Sequence, residues 1–318
     1  MSKIKIDNIV QYHSKSNNCF QDVIGMILTN NGIDPLNMYV GCLNFGYSKQ
    51  RKLYGERITP SRDGRWLDST ITNSVYETVG MVLQKKQNSS LTDIKRVLCK
   101  SKQGIVIEVD VFNCKWHIFY KKIHSIHYCW LIDIDDNKFV FALPFGEKIG
   151  YYNAELNSTY NYYTYCFVEK NKKRDVLDII SKAYVECMGK NNITSDLEQM
   201  NMFRNDVLLK GIALDEEREN YLEIVNIPLV RAFEWILWSR MNFHDMLIKF
   251  DEKCNYKTIV SELAKAIDIW KGIKNFVIIE FMRGSKFLNN NLAKYLAEAI
   301  DQEKRVLKAM ENVVGNRI

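Results

Sequence analysis

The sequence holds no uninterrupted apolar run near the ~18 residues that a membrane span requires, so no membrane partner is expected. Its start, Met1 to Val10, has neither an apolar stretch nor a small-residue cleavage site, and no secretory leader is expected. There is no Cys-x-x-Cys pair and no zinc-ligand spacing. The eight cysteines (Cys19, Cys42, Cys99, Cys114, Cys129, Cys166, Cys187 and Cys254) are scattered, which argues for a reduced, cytoplasmic chain without a metal site. Also missing are a Walker loop, a Gly-x-Gly-x-x-Gly turn and a kinase signature, so nothing points to nucleotide-driven chemistry. Charge of one sign is not gathered into a stripe: 44 Lys+Arg and 38 Asp+Glu are interspersed, giving +6. A nucleic-acid partner is therefore not expected. The mild excess fits a solvated surface, or one that meets an acidic partner. Internal repeats and low-complexity segments are absent too.

What is present is ordinary globular composition, 47% hydrophobic and 26% charged over 318 residues, enough for two structural units. The first half reads as mixed α and β. Asn17-Asn18 supplies capping chemistry for an apolar-periodic helix from Phe20 to Leu28, stopped by Asn30-Asn31-Gly32. Tyr39 to Tyr54 carries no assignable pattern, and Arg57 to Trp66 reads as loop. Helices are expected over Thr72 to Val79 and Leu91 to Lys102. Four strands follow: Ile105 to Phe112, His127 to Ile134, its hairpin partner Phe139 to Leu143, and Tyr162 to Val168. Beyond Lys170 only helical spacing remains, over Asp175–Met188, Thr194–Leu214, Glu217–Phe250, Lys257–Met282 and Lys286–Val314. Pro228 is expected to kink or divide the third of these, while Gly272 and Asn289-Asn290-Asn291 are candidate interruptions of the last two. The aromatic stripes Trp235, Trp238 and Trp270, with Phe233 and Phe243, read first as core, with an apolar groove as the other reading. Asp215-Glu216-Glu217 reads as a solvated helix start. The organisation expected is an α+β unit over 1–170 and a helical unit over 171–318.

One pair of residues carries chemistry. Cys19 follows Asn17-Asn18 and opens the first helix, where unpaired N–H groups and the positive helix pole stabilise a thiolate. His127 begins the strand His127-Tyr-Cys-Trp-Leu-Ile later in the chain. A cysteine on a helix tip and a later strand histidine are the parts of a papain-like enzyme. Its thiolate attacks a carbonyl while the imidazole manages protons.

Asn18-Cys19-Phe20, the strand Val106 to Phe112, the run His127-Tyr-Cys-Trp-Leu-Ile and the hairpin to Phe139-Val-Phe-Ala-Leu-Pro144 resemble the butirosin-type acyltransferase N-terminal domain. That family is related to the C39 peptidases, of papain-like fold, and the resemblance spans roughly residues 10 to 168. It implies a papain-like catalytic unit whose helical companion binds substrate or carrier protein. The activity it implies is movement of an acyl or peptidyl chain from a carrier-protein thioester, through Cys19, to a small amine, as in amide synthesis for natural products. No cofactor of the enzyme's own is implied, since the substrate arrives on the carrier's phosphopantetheine.

The family places Asp-Pro where this chain has Leu143-Pro144, and leucine cannot orient an imidazole. The resemblance leaves two outcomes, a Cys–His dyad or a substitute acceptor. Asp110 is the candidate orienter, with a structural carboxylate holding the Cys114–Ile126 loop as its other reading. Gln11 is the candidate oxyanion donor, with His13 the alternative. His117 and His124 lack the carboxylate or cysteine spacing that would complete a metal site with His127. Two further functions stay open: a peptidase or thioesterase that uses water as acceptor, and a catalytically inactive papain-like binding module.

Overall fold

The computed structural model describes residues 8–60, 67–101, 103–155, 158–169, 175–189, 194–221 and 223–315. The chain is mixed helix and sheet and divides into two compact units, one of residues 1–38 and 75–171, the other of residues 39–74 and 172–318. The second boundary falls beside the expected one. Residues 39–74, however, belong with the helical unit and not with the 1–170 unit to which the sequence assigned them.

In the first unit, α1 (Cys19–Asn30) begins at a reciprocal cap. Asn18 is extended, its side chain accepts the Gln21 N–H at 2.9 Å, and the Gln21 side chain accepts the Asn18 N–H at 2.9 Å. Six strands follow: β1 (Met81–Ser90), then after helix α2 (Leu91–Lys100) β2 (Ile105–Asp110), β3 (Ile126–Asp135), β4 (Lys138–Ala142), β5 (Ile149–Asn153) and β6 (Thr159–Phe167). They form one sheet in the order β1-β6-β2-β3-β4-β5, antiparallel at every pairing.

Alternation along the strands gives the sheet two working faces. On one, Ile105, Ile107, Cys129, Leu131, Phe139 and Phe141 form a core with Leu91 and Ile94 of α2. On the other, Phe20 of α1 meets Tyr128 at 4.9 Å and Tyr163 at 5.6 Å between ring centroids. The strand expected to run to Phe112 stops at Asp110, whose side chain caps the turn Val111–Asn113. β1 and β5 were not expected. β1 is an exposed outer strand whose run Gln84-Lys-Lys-Gln-Asn-Ser-Ser carries no apolar alternation. Its lysines are the charges that keep such an edge from recruiting another chain.

The second unit holds α3 (Val176–Met188), α4 (Asp196–Lys210), α5 (Pro228–Phe250), α6 (Lys257–Arg283) and α7 (Asn290–Val314). The long helical stretches break where backbone chemistry dictates. Gly211, at φ +66°, ends α4, and Pro228 opens α5 at its first turn. Gly272 does not interrupt α6. Residues 287–288 pair with 212–213 as a short antiparallel ribbon, so α7 starts at Asn290 and not at Lys286. Residues 46–47 and 58–59 form a second ribbon, with the short helix Tyr54–Arg57 between them. Phe45, Phe203, Phe233 and Trp270 are buried together, with centroids 6.2–6.5 Å apart; of the aromatic stripes Phe233, Phe243 and Trp270 are core, whereas Trp235 and Trp238 are only half-buried. Among the described residues no helix is long and apolar enough to cross a membrane.

Candidate active site

The segment ahead of α1 runs back along that helix towards its N-terminus. Asn30 bonds both backbone groups of Val10, at 2.9 Å and 2.8 Å. Tyr12 lies over Gly25, where a Cβ would come within 2.3 Å of the tyrosine ring, so a glycine is needed for this close approach. His13 then reaches the first turn of the helix, with Nδ1 2.7 Å from Asp22 Oδ2. Asp22 Oδ1 accepts the Asn17 side-chain N–H at 2.9 Å and the Ser14 backbone N–H at 3.3 Å. Burial pushes the Asp22 carboxyl above its usual value, against the opposing pull of the bonds from His13 and Asn17. A carboxylate on Nδ1 fixes the tautomer that leaves His13 Nε2 able to take a proton. The ring is partly exposed and lies 4.6 Å from that of Phe145.

Cys19 is the first residue of this helix and is half-buried, in contrast to Cys42, Cys114, Cys129 and Cys187, which are buried. Asp22 stands three residues on, and i,i+3 side chains are neighbours with Cβ atoms about 5–6 Å apart. Thiol, carboxylate and the imidazole it holds therefore share one helical turn. The sequence signals for this were His13 and an acidic residue in the first turn. Their partnership depends on the backward run of residues 10–13, which no local pattern announces.

His127 is the second residue of β3, on the strand where it was expected, and no hydrogen bond of its ring is seen among the described residues. Its neighbour is His117, edge to face at 4.8 Å. By strand alternation it shares a side with Cys129, whose thiol is pushed far above its ordinary value by burial and then by Cys114 and Cys19. Burial, and next to it His117, hold the His127 pKa down at about 3. His117 Nδ1 accepts the Phe119 N–H at 3.2 Å, and burial lowers its pKa as well. His127 is thus a neutral imidazole at physiological pH, with no orienting hydrogen bond among the described residues.

The two tentative residues are engaged elsewhere. Asp110 places Oδ2 2.6 Å from His124 Nδ1, while Oδ1 accepts the N–H groups of Phe112 and Ser125 at 3.0 Å and 3.1 Å. These bonds hold its pKa below the usual carboxylate value against burial. It fastens the loop before β3, which is the structural role weighed against its orienting role. Gln11 donates through Nε2 to the carbonyls of Leu143, Gly146 and Glu147, at 3.1–3.4 Å, and so anchors the loop after β4. Leu143 itself is buried in the core cluster. Among the described residues no group of three or more metal-ligating side chains stands together.

The acids Asp215-Glu216-Glu217 depart from the solvated reading at one position. Glu217 is 1% exposed and accepts the backbone N–H groups of Tyr54 and Gly55.

No protein-family model matches the chain, and no curated protein matches it.

Proposed function

We propose that this chain is a cysteine-dependent acyltransferase of amide-forming type, with Cys19 as nucleophile. The observation that carries the proposal is a half-buried thiol on the first turn of a fully capped helix, with the His13–Asp22 pair held on that same turn. A helix tip favours the thiolate, and a carboxylate-held imidazole is suited to moving its proton.

The reaction runs in two steps. Cys19 Sγ attacks the carbonyl of a carrier-protein thioester, its proton passes to an imidazole, and the carrier thiol leaves with that proton. The amine then attacks the acyl–Cys19 thioester, loses a proton to the imidazole, and Cys19 departs as the amide forms. Thioester exchange is close to balanced and aminolysis is downhill, so no nucleotide enters. His13 fits the proton-carrying role better than His127. Asp22 orients the His13 ring at 2.7 Å, whereas burial holds His127 at about 3, too low for a base at neutral pH. Hydrolysis by water at the same thioester is the competing outcome.

The test is incubation with an acyl-pantetheine, followed by intact mass. The expected result is one acyl adduct, lost in Cys19→Ala and discharged faster by a primary amine than by buffer. His13→Ala should slow acylation more than His127→Ala does. Discharge by buffer as fast as by amine makes the chain a hydrolase, and the absence of any adduct leaves only a binding module.

A further inference from the structure

A cavity of about 280 Å³ lies wholly within the second unit, between the short helix Tyr54–Arg57 with its ribbon strand and the start of α5. Its body is apolar: Ile58, Pro60, Pro228 and Trp235 line it. Two arginines, Arg51 and Arg231, stand on the same lining. Neither makes an ion pair or a side-chain hydrogen bond among the described residues, and Arg231 rests only over the Trp235 ring, 5.9 Å from its centroid. The neighbouring Arg57 is different. It pairs with Asp206 at 2.9 Å, and it donates to the backbone carbonyls of Arg51 and Lys52 at 2.8 Å and 3.1 Å, fixing the backbone that carries Arg51. One acid, Glu56, shares the lining. The N-cap residue of α5, Ile227, supplies no side-chain cap, so the positive end of a 23-residue helix adds to the same field.

We infer that this cavity is a binding site for a small amphipathic oxyanion, with a carboxylate or phosphate head on Arg51 and Arg231 and an apolar body against Pro60, Pro228 and Trp235. Guanidinium forks match both heads in two-point fashion, and an arginine already stacked on an aromatic ring is preorganised to do so. The size suits a one-ring or short-chain acid. The inference is independent of the Cys19 reading, since every lining residue belongs to the helical unit.

Isothermal titration of the full chain tests it with four probes: 4-phenylbutyrate, its uncharged amide, phenyl phosphate and inorganic phosphate. One or both of the aromatic anions should bind saturably, and which one separates a carboxylate from a phosphate ligand. The amide and inorganic phosphate should each bind at least tenfold more weakly. Arg231→Gln, and separately the exposed Arg51→Gln, should weaken the anion about tenfold or more, the loss expected for a hydrogen bond to a charged group. Glu56→Gln should tighten it. Circular dichroism checks that each variant is folded, and Arg51, at the exposed rim, keeps the test open if Arg231→Gln is not. Equal binding of amide and acid, binding of phosphate without gain from the ring, indifference to both arginine changes, or no binding of any probe overturns the inference.

Discussion

Single side chains in this protein carry opposing pH dependences, and the signs follow from burial. Burial pushes Glu217 up to about 7 from an ordinary 4.5. Between those values the folded chain holds a proton that the unfolded chain has released, so stability falls as pH rises from about 4.5 to 7 and levels above. Glu217→Gln, which cannot ionise, should flatten that slope in urea midpoints measured across the window, by the equivalent of one proton. A slope unchanged in the variant rules the assignment out. His127 acts in the other direction. Its pKa falls from 6.5 to about 3, so protonation favours the unfolded chain, and stability is lost as pH drops from about 6.5 towards 3. A histidine NMR titration should show the His127 ring still neutral at pH 5. A midpoint near 6.5 would mean that the ring is hydrated and free. The backbone near Glu217 is equally exacting: a Cβ on Gly55 would lie 2.0 Å from the Leu229 nitrogen, a backbone atom that cannot swing aside. Gly55→Ala should cost about 1–3 kcal/mol or more in chemical unfolding.

At the scale of elements, the helix starts were legible because capping is local chemistry. Asn18 with Gln21, Ser90 with Asp93 and Ser195 with Glu198 each close a reciprocal cap within four residues. Asn18→Ala should therefore cost about 0.5–2 kcal/mol and, by fraying the turn that holds Cys19, slow acylation of that thiol; unchanged stability would mean that tertiary contacts alone hold the turn. The strands β2, β3, β4 and β6 announced themselves through β-branched and aromatic runs, whereas β1 did not. An outer strand buries little, so selection for alternation is weak there, and Lys85 and Lys86 sit where a central strand would carry apolar residues. Cys19 on its helix and His127 on its strand were readable for the same local reasons. That His13 is held on the α1 turn was not readable, because it depends on Gly25 admitting Tyr12 and on Asn30 holding Val10, contacts between segments that no window of sequence contains.

At the scale of the whole chain, the division into units rests on long-range polar contacts of the same hidden kind. Residues 39–74 join the helical unit partly through Asn44, whose carbonyl accepts a hydrogen bond from Arg240 at 2.9 Å. Arg240 is 1% exposed on α5, its Nε lies 2.9 Å from Glu303 on α7, and the same carboxylate oxygen accepts the Trp270 indole N–H from α6 at 2.7 Å. Four pieces far apart in sequence meet at one charge pair, and in any local window Arg240 reads as a solvated helix position. Removing one partner strands the other charge without water, so Glu303→Ala should cost about 3–5 kcal/mol. Arg240→Met together with Glu303→Leu removes both charges and fills the space, and should recover a large part of that loss. Recovery stays incomplete because the Trp270 N–H and the Asn44 carbonyl lose partners, at roughly 1–3 kcal/mol for each group left buried and unpaired. Chemical unfolding of wild type, each single variant and the double closes the cycle. A double variant no more stable than Glu303→Ala would mean that these helices need the charges themselves to find their register, and that volume and apolarity at the junction do not suffice.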